Sequence, residues 1–137
     1  MTSVDDFADP NVQKAFLAFP DEVRPNLLHL RTLIFETAAG LSEIGALHET
    51  LKWGQPAYLT PDTGAATTIR LGIPKSGGYA LYTHCQSSVM SEIQALFPNE
   101  LTFEGNRAIL FAVGETPPAV PLTALIARAL TYHLKRP

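Results

Sequence analysis

Between residues 52 and 85 the chain holds three short apolar or alternating runs, joined by two tight turns. The run from Trp53 to Leu59 stops at Thr60-Pro61-Asp62-Thr63-Gly64, where Pro61 presets φ and Asp62 and Gly64 suit a bend. An alternating run follows, with Thr67, Ile69, Leu71 and Ile73 on one face. Pro74 to Gly78 forms the next turn, and Tyr79 to Cys85 the third run. Connections this short cannot carry a parallel crossover, which needs a dozen or more residues. The three runs therefore predict an antiparallel meander.

Helical periodicity flanks this core. Asp9-Pro10 has the form of an N-cap followed by proline at the first helical position. Val12, Ala15, Phe16 and Phe19 then share a face, and Pro20 ends the helix. Asp21 is placed to cap a longer helix in which Val23, Leu27, Leu30, Ile34 and Ala38 recur at spacings of three and four, stopped at Gly40. Ser42 and Gly45 suggest a short helical turn. After the meander, Ser87 or Ser88 caps a helix running to Phe97. Residues 101–113 read as a hairpin about a two-residue Gly105-Asn106 loop. Pro121 opens a last helix with Leu122, Leu125, Ile126, Ala129 and His133 on one face. This order, with no alternating βαβ units, predicts a single α+β domain over residues 1–137. Its mainly antiparallel sheet of about five strands is covered on one face by the second and last helices.

Composition excludes several classes of partner. The 137 residues carry a net charge of -3 with scattered Lys and Arg, so there is no cationic field for nucleic acid. No apolar run approaches the roughly 20 residues of a membrane span. The acidic start, Met1 to Pro10, lacks the apolar core of a secretory leader. Cys85 has no second cysteine to pair with, and cytoplasm is the default compartment.

The stretch His48 to Thr60 is the strongest candidate for a site. Pro56 would delete a ladder hydrogen bond inside a central strand, so it points to an edge strand or a bulge, and Gly54 points the same way. Alternation along one strand places Lys52, Gly54, Pro56 and Tyr58 on one side, and Trp53, Gln55, Ala57 and Leu59 on the other. In the structural reading Trp53 and Leu59 anchor the core. In the functional reading the kink opens a concave surface lined by Lys52 and Tyr58, suited to a small anion or an aromatic ligand. Arg31, on the flank of the second helix, needs a carboxylate or an anionic ligand, and Glu49 is a candidate partner.

Glu49-Thr50-Leu51-Lys52-Trp53-Gly54-Gln55-Pro56-Ala57-Tyr58 resembles the signature of the bacterial YdhG-like family: an acidic residue, then Lys-Trp-Gly, one residue, proline and an aromatic. Upstream, Phe19-Pro20-Asp21-Glu22-Val23-Arg24 and Leu30-Arg31-Thr32-Leu33-Ile34 match the family style. The resemblance is dense through residue 60 and looser beyond, where the closing helix also fits. It implies a small α+β fold. Since some relatives are described as frataxin-like iron chaperones, it also implies iron as a cargo and an iron-accepting protein as a partner.

Iron(II) takes carboxylate and imidazole ligands, and His29, Glu36, His48 and Glu49 are the candidates. Glu22, His29 and Glu36 stand seven residues apart, about 10 Å along a helix, too far for one ion. His84 and Cys85 are adjacent in a strand and point to opposite faces. Cys85 reads as a small buried hydrophobe, and His133 as a core or helix-end histidine. No phosphate loop, nucleophile elbow or paired-carboxylate motif is present. Three readings follow. The first is a non-enzymatic domain binding a small ligand or iron around Lys52, Trp53, Tyr58, Arg31 and Glu49. The second is a protein-interaction module, or a homodimer joined at the Gly54–Pro56 edge. The third is an enzyme using Lys52, Tyr58 or His84.

Overall fold

In the computed structural model, which describes residues 7–134, helix α1 (Pro10–Ala18) begins where Asp9 and Pro10 place it. Asp9 Oδ1 accepts the Asn11 N–H at 2.8 Å, and Val12 and Phe16 are buried. Asp5 and Asp6, acidic groups that could also ligate iron(II), lie outside the described residues. Helix α2 (Arg24–Ala39) starts later than expected. Asp21 does not cap it but pairs with Arg24 at 2.8 Å. Arg24 in turn donates to the carbonyls of Phe16, Leu17 and Phe19, taking up the free C-terminal end of α1. A 3₁₀ turn at Ser42–Ile44 follows.

The sheet has six antiparallel strands: β1 (His48–Lys52), β2 (Gln55–Leu59), β3 (Ile69–Gly72), β4 (Tyr79–Tyr82), β5 (Thr102–Glu104) and β6 (Ala108–Phe111). Their spatial order is β1-β2-β3-β4-β6-β5. The strand beyond the expected five is β1. What reads as one kinked strand is a hairpin whose two-residue turn is Trp53-Gly54, closed by the Lys52–Gln55 pair. Trp53 and Gly54 have φ of 56° and 74°, the two positive values a type I′ turn requires. Pro56 therefore sits not on an edge strand but in β2, between β1 and β3. It has no N–H to offer, and the ladder to β3 begins one residue later, at Ala57–Arg70. The β5–β6 loop holds three residues rather than two, because Glu104 pairs with Ala108.

Helices α3 (Val89–Leu96) and α4 (Ala119–Leu130) complete the fold. The last helix opens at Ala119, ahead of Pro121, and ends before His133, which is exposed in the following turn. Strand β4 likewise stops at Tyr82, leaving His84 and Cys85 exposed beyond it; Cys85 is not a core residue. The five core positions read from periodicity, Leu27, Leu30, Ile34, Leu125 and Ile126, are all fully buried. They meet Tyr58, Ile69, Leu71, Tyr79, Leu81, Ile109 and Phe111, which register places on one face of the sheet. Among the described residues the buried side chains of all four helices join this one core, and no helix layer covers the opposite sheet face. Among the described residues no helix is long and apolar enough to cross a membrane.

Two neighbouring glycines separate conformational need from space. Gly77 and Gly78 both have positive φ, but nothing lies within 4 Å of a side chain built on Gly77, whereas one on Gly78 would run into the Phe111 carbonyl. Gly77→Ala should cost about 1–2 kcal/mol for the left-handed backbone. Gly78→Ala should cost ~1–3 kcal/mol more through overpacking at the β4–β6 pair. Urea denaturation of the two variants measures the difference.

Candidate functional site

Glu49 and Tyr58 stand opposite each other in the β1–β2 register, on the face that meets α2. There Arg31 reaches across from the helix. Its Nε and Nη2 donate to the two Glu49 oxygens at 2.5 and 2.8 Å, a bidentate fork, and Tyr58 Oη donates to Glu49 Oε2 at 2.7 Å. The Arg31 and Glu49 side chains are 3% and 8% exposed, and Tyr58 is fully buried. Aromatic rings enclose the guanidinium: its Cζ lies 3.8 Å from the Phe7 ring centre and 4.7 Å from that of Phe35. Phe35 meets Tyr58 edge-on. Side chains of α2 and β2 thus converge on one carboxylate of β1.

Within this cluster Arg31 and Glu49 match each other's charge. Burial works against the charge on Arg31, but the hydrogen bonds and attraction of Glu49 outweigh it and raise the guanidinium pKa. Burial first, and the Glu49 charge second, hold the Tyr58 phenol well above its ordinary range. Such a phenol stays protonated near neutral pH. A cleft of about 490 Å³ opens beside the cluster, bordered by Asp9, Pro10, Leu47 and His48. The Arg31 charge that borders the cleft is already matched by Glu49.

Lys52 and Trp53 stand elsewhere. Register puts Lys52 on the uncovered face, together with His48, Thr50, Gln55 and Arg70. Trp53 projects from the hairpin tip and is 93% exposed, not packed in the core. The tertiary fold provides the reason: a type I′ turn at residues 53 and 54 takes Trp53 out of the strand alternation altogether. Ile73 and Val113, 39% and 52% exposed, lie in loops at the same end of the sheet. The uncovered face has a floor of small residues: Ala57, Gly72, Ala80 and Ala108. Larger side chains lie flat across it. Arg70 Nη1 donates to Gln55 Oε1 at 2.5 Å, and Arg70 Cζ is 5.4 Å from the Tyr82 ring centre. A side chain on Gly72 would meet both Gln55 and Tyr82.

The structure therefore brings Arg31, Glu49 and Tyr58 together and separates them from Lys52 and Trp53. His29 and Glu36 stay on α2, and His48 points to the sheet face opposite Glu49. Among the described residues no three His, Cys, Asp or Glu side chains converge to hold a metal ion. Lys52 and His84 occupy opposite ends of the sheet and share no pocket. Sequence reading missed Gln55, Arg70 and Tyr82, which come together only through strand register. Compared with protein-family models, curated proteins and solved structures, the chain matches none.

Two outcomes follow from this geometry. Trp53→Asn installs the Asn-Gly pair that type I′ turns favour, and should raise stability by about 1 kcal/mol, read as an upward shift of the urea midpoint. A fall of the size seen for buried aromatics, about 3–5 kcal/mol, would place Trp53 in the core after all. The second outcome concerns alkaline pH. Folding raises the Tyr58 and Tyr79 pKa values, so above about pH 10 the unfolded chain releases protons that the folded state keeps. Stability is full below that pH and falls as pH rises through it. Tyr58→Phe should lose about 1.5–3 kcal/mol at neutral pH, where it deletes a hydrogen bond to a carboxylate, and should show a shallower alkaline decline. Denaturation series at about pH 8 and pH 11 check both signs.

Proposed function

We propose that this domain is a non-enzymatic protein-interaction module whose working surface is the uncovered sheet face and the Trp53 tip beside it. One observation carries the reading. Trp53 adopts left-handed backbone at φ 56° with its indole 93% exposed. A bulky residue in that region is a steric outlier, at about 1–2 kcal/mol, and an exposed indole returns none of it through burial. Glycine or asparagine would make the same turn without strain. A tryptophan there is explained by what it contacts outside the chain, and tryptophan is among the residues that dominate protein interfaces.

A small-molecule site is less well supported, because such sites are concave and Trp53 stands on a convex tip. An enzymatic reading has no support in the placement of Lys52, Tyr58 and His84. YdhG-like kinship is compatible with this proposal, since the resembling residues Glu49 to Tyr58 form the very hairpin that carries Trp53. Iron binding is less well supported: Glu49 already accepts three hydrogen bonds, and among the described residues His29, Glu36 and His48 do not converge on it.

Photocrosslinking in the native cell tests the proposal. A benzoylphenylalanine at position 53 should yield discrete heavier adducts, while one at Val120, 72% exposed on α4, should not. No adduct from position 53, or the same adducts from both positions, would overturn it.

A further inference from the structure

The proposed docking face carries a charge that contrasts with the rest of the chain. Within the six strands, register puts Lys52 and Arg70 on the uncovered side with one carboxylate, Glu104, and Arg107 stands beside Glu104 in the β5–β6 loop. Glu104 is already paired with Arg107 at 3.3 Å. The other carboxylate within the strands, Glu49, lies on the core side beneath Arg31, while Asp62 and Glu115 stand in the loops that follow β2 and β6. Asp21, Glu22, Glu36 and Glu43 belong to the helical layer, and the whole chain is at -3. A net-negative protein thus shows a net-positive sheet face.

Arg70 gives that face a recognition element. It is half-buried at the centre of the sheet, and its partners are uncharged: the Gln55 amide oxygen and the Tyr82 ring. Among the described residues no carboxylate pairs with it. The bond to Gln55 and the contact with Tyr82 fix the plane of the guanidinium while Nη2 and Nε stay available. A planar fork held in this way matches a carboxylate with little further ordering. Lys52 adds a second cation on the same face, beside Trp53.

Resting on the interaction reading above, we infer that the partner docked on this face is an acidic protein segment, with Arg70 as its carboxylate fork and Trp53 as its apolar anchor. A second copy of the chain fits poorly: a two-fold interface sets a patch against itself, and Arg70 and Lys52 would meet their own like charges. A nucleic acid fits less well, since few cations are on offer and the overall charge is negative.

The test uses an immobilised array of short random-sequence peptides and, separately, labelled oligothymidylate. It compares the wild-type chain with Arg70→Glu, Arg70→Lys, Lys52→Glu and Trp53→Ser, each first shown to keep the wild-type thermal midpoint. The wild type should retain peptides enriched in Asp and Glu. Arg70→Glu and Lys52→Glu should lose that enrichment, and Arg70→Lys, which keeps the charge without the fork, should weaken binding less than Arg70→Glu. Trp53→Ser should reduce signal roughly tenfold without altering the composition retained. Retained peptides with no acidic enrichment, whose signal still falls in Trp53→Ser, would overturn the acidic partner and leave the docking reading standing. No retained peptide at all would overturn both. Oligothymidylate binding that Arg70→Glu abolishes, without peptide binding, would replace the protein partner with a nucleic acid.

Discussion

The fork between Arg31 and Glu49 is the contact on which the placement of everything else depends. It is made between the middle of α2 and the first strand, and it is sealed from water by Phe7, Phe35 and Tyr58. A buried ion pair contributes little net stability, because desolvation of both partners offsets most of the attraction. Its effect is on geometry. With Glu49 committed inward, the alternation of β1 is decided: Leu51 turns inward too, and His48, Thr50 and Lys52 must face out. A one-residue slip would bury Lys52 and leave Arg31 without its carboxylate, an error of several kcal/mol. The pair therefore works as a register lock for the edge hairpin.

The lock has a consequence for the turn. Once Glu49 faces Tyr58 and Lys52 faces Gln55, only two residues remain to reverse the chain. Both must take positive φ, and one of them is Trp53. The strained, exposed tryptophan and the buried fork are thus linked features of one hairpin. The inner side of the hairpin supplies stability and register, and its tip and outer side supply surface. Pro56 adds to this division by ending the β2–β3 ladder next to the tip, which leaves Gln55 free to accept from Arg70.

Much of the fold was legible before any coordinates. Helix faces such as Leu27, Leu30 and Ile34 follow a spacing that nothing competes with, and they are buried as read. The antiparallel sheet follows from short turns. What misled the reading was a single residue pair. Gly54 within an apparently continuous run suggests a bulge, yet Trp53-Gly54 is also a two-residue hairpin loop with glycine in the second position, and His48 to Lys52 alternates well enough to be a strand. Once that strand is recognised, Trp53 leaves the core, Tyr58 moves to the same side as Glu49, and Lys52 joins Gln55. The association of Arg31 with Glu49 could be anticipated from the need of a flanking guanidinium for a carboxylate. The Gln55–Arg70–Tyr82 array could not, because it depends on cross-strand register between three segments and no local pattern encodes that.

The position of Trp53 also sets how the molecule can be observed. It is the only tryptophan in the chain, and its indole already stands in water in the folded state. Intrinsic emission, the usual optical probe of unfolding, is therefore almost blind to loss of the core, which is built around tyrosines and phenylalanines. The same fluorophore is sensitive to any surface that closes over the hairpin tip and excludes solvent from it. The chain carries a built-in dye that stays silent about its own collapse and responds to company.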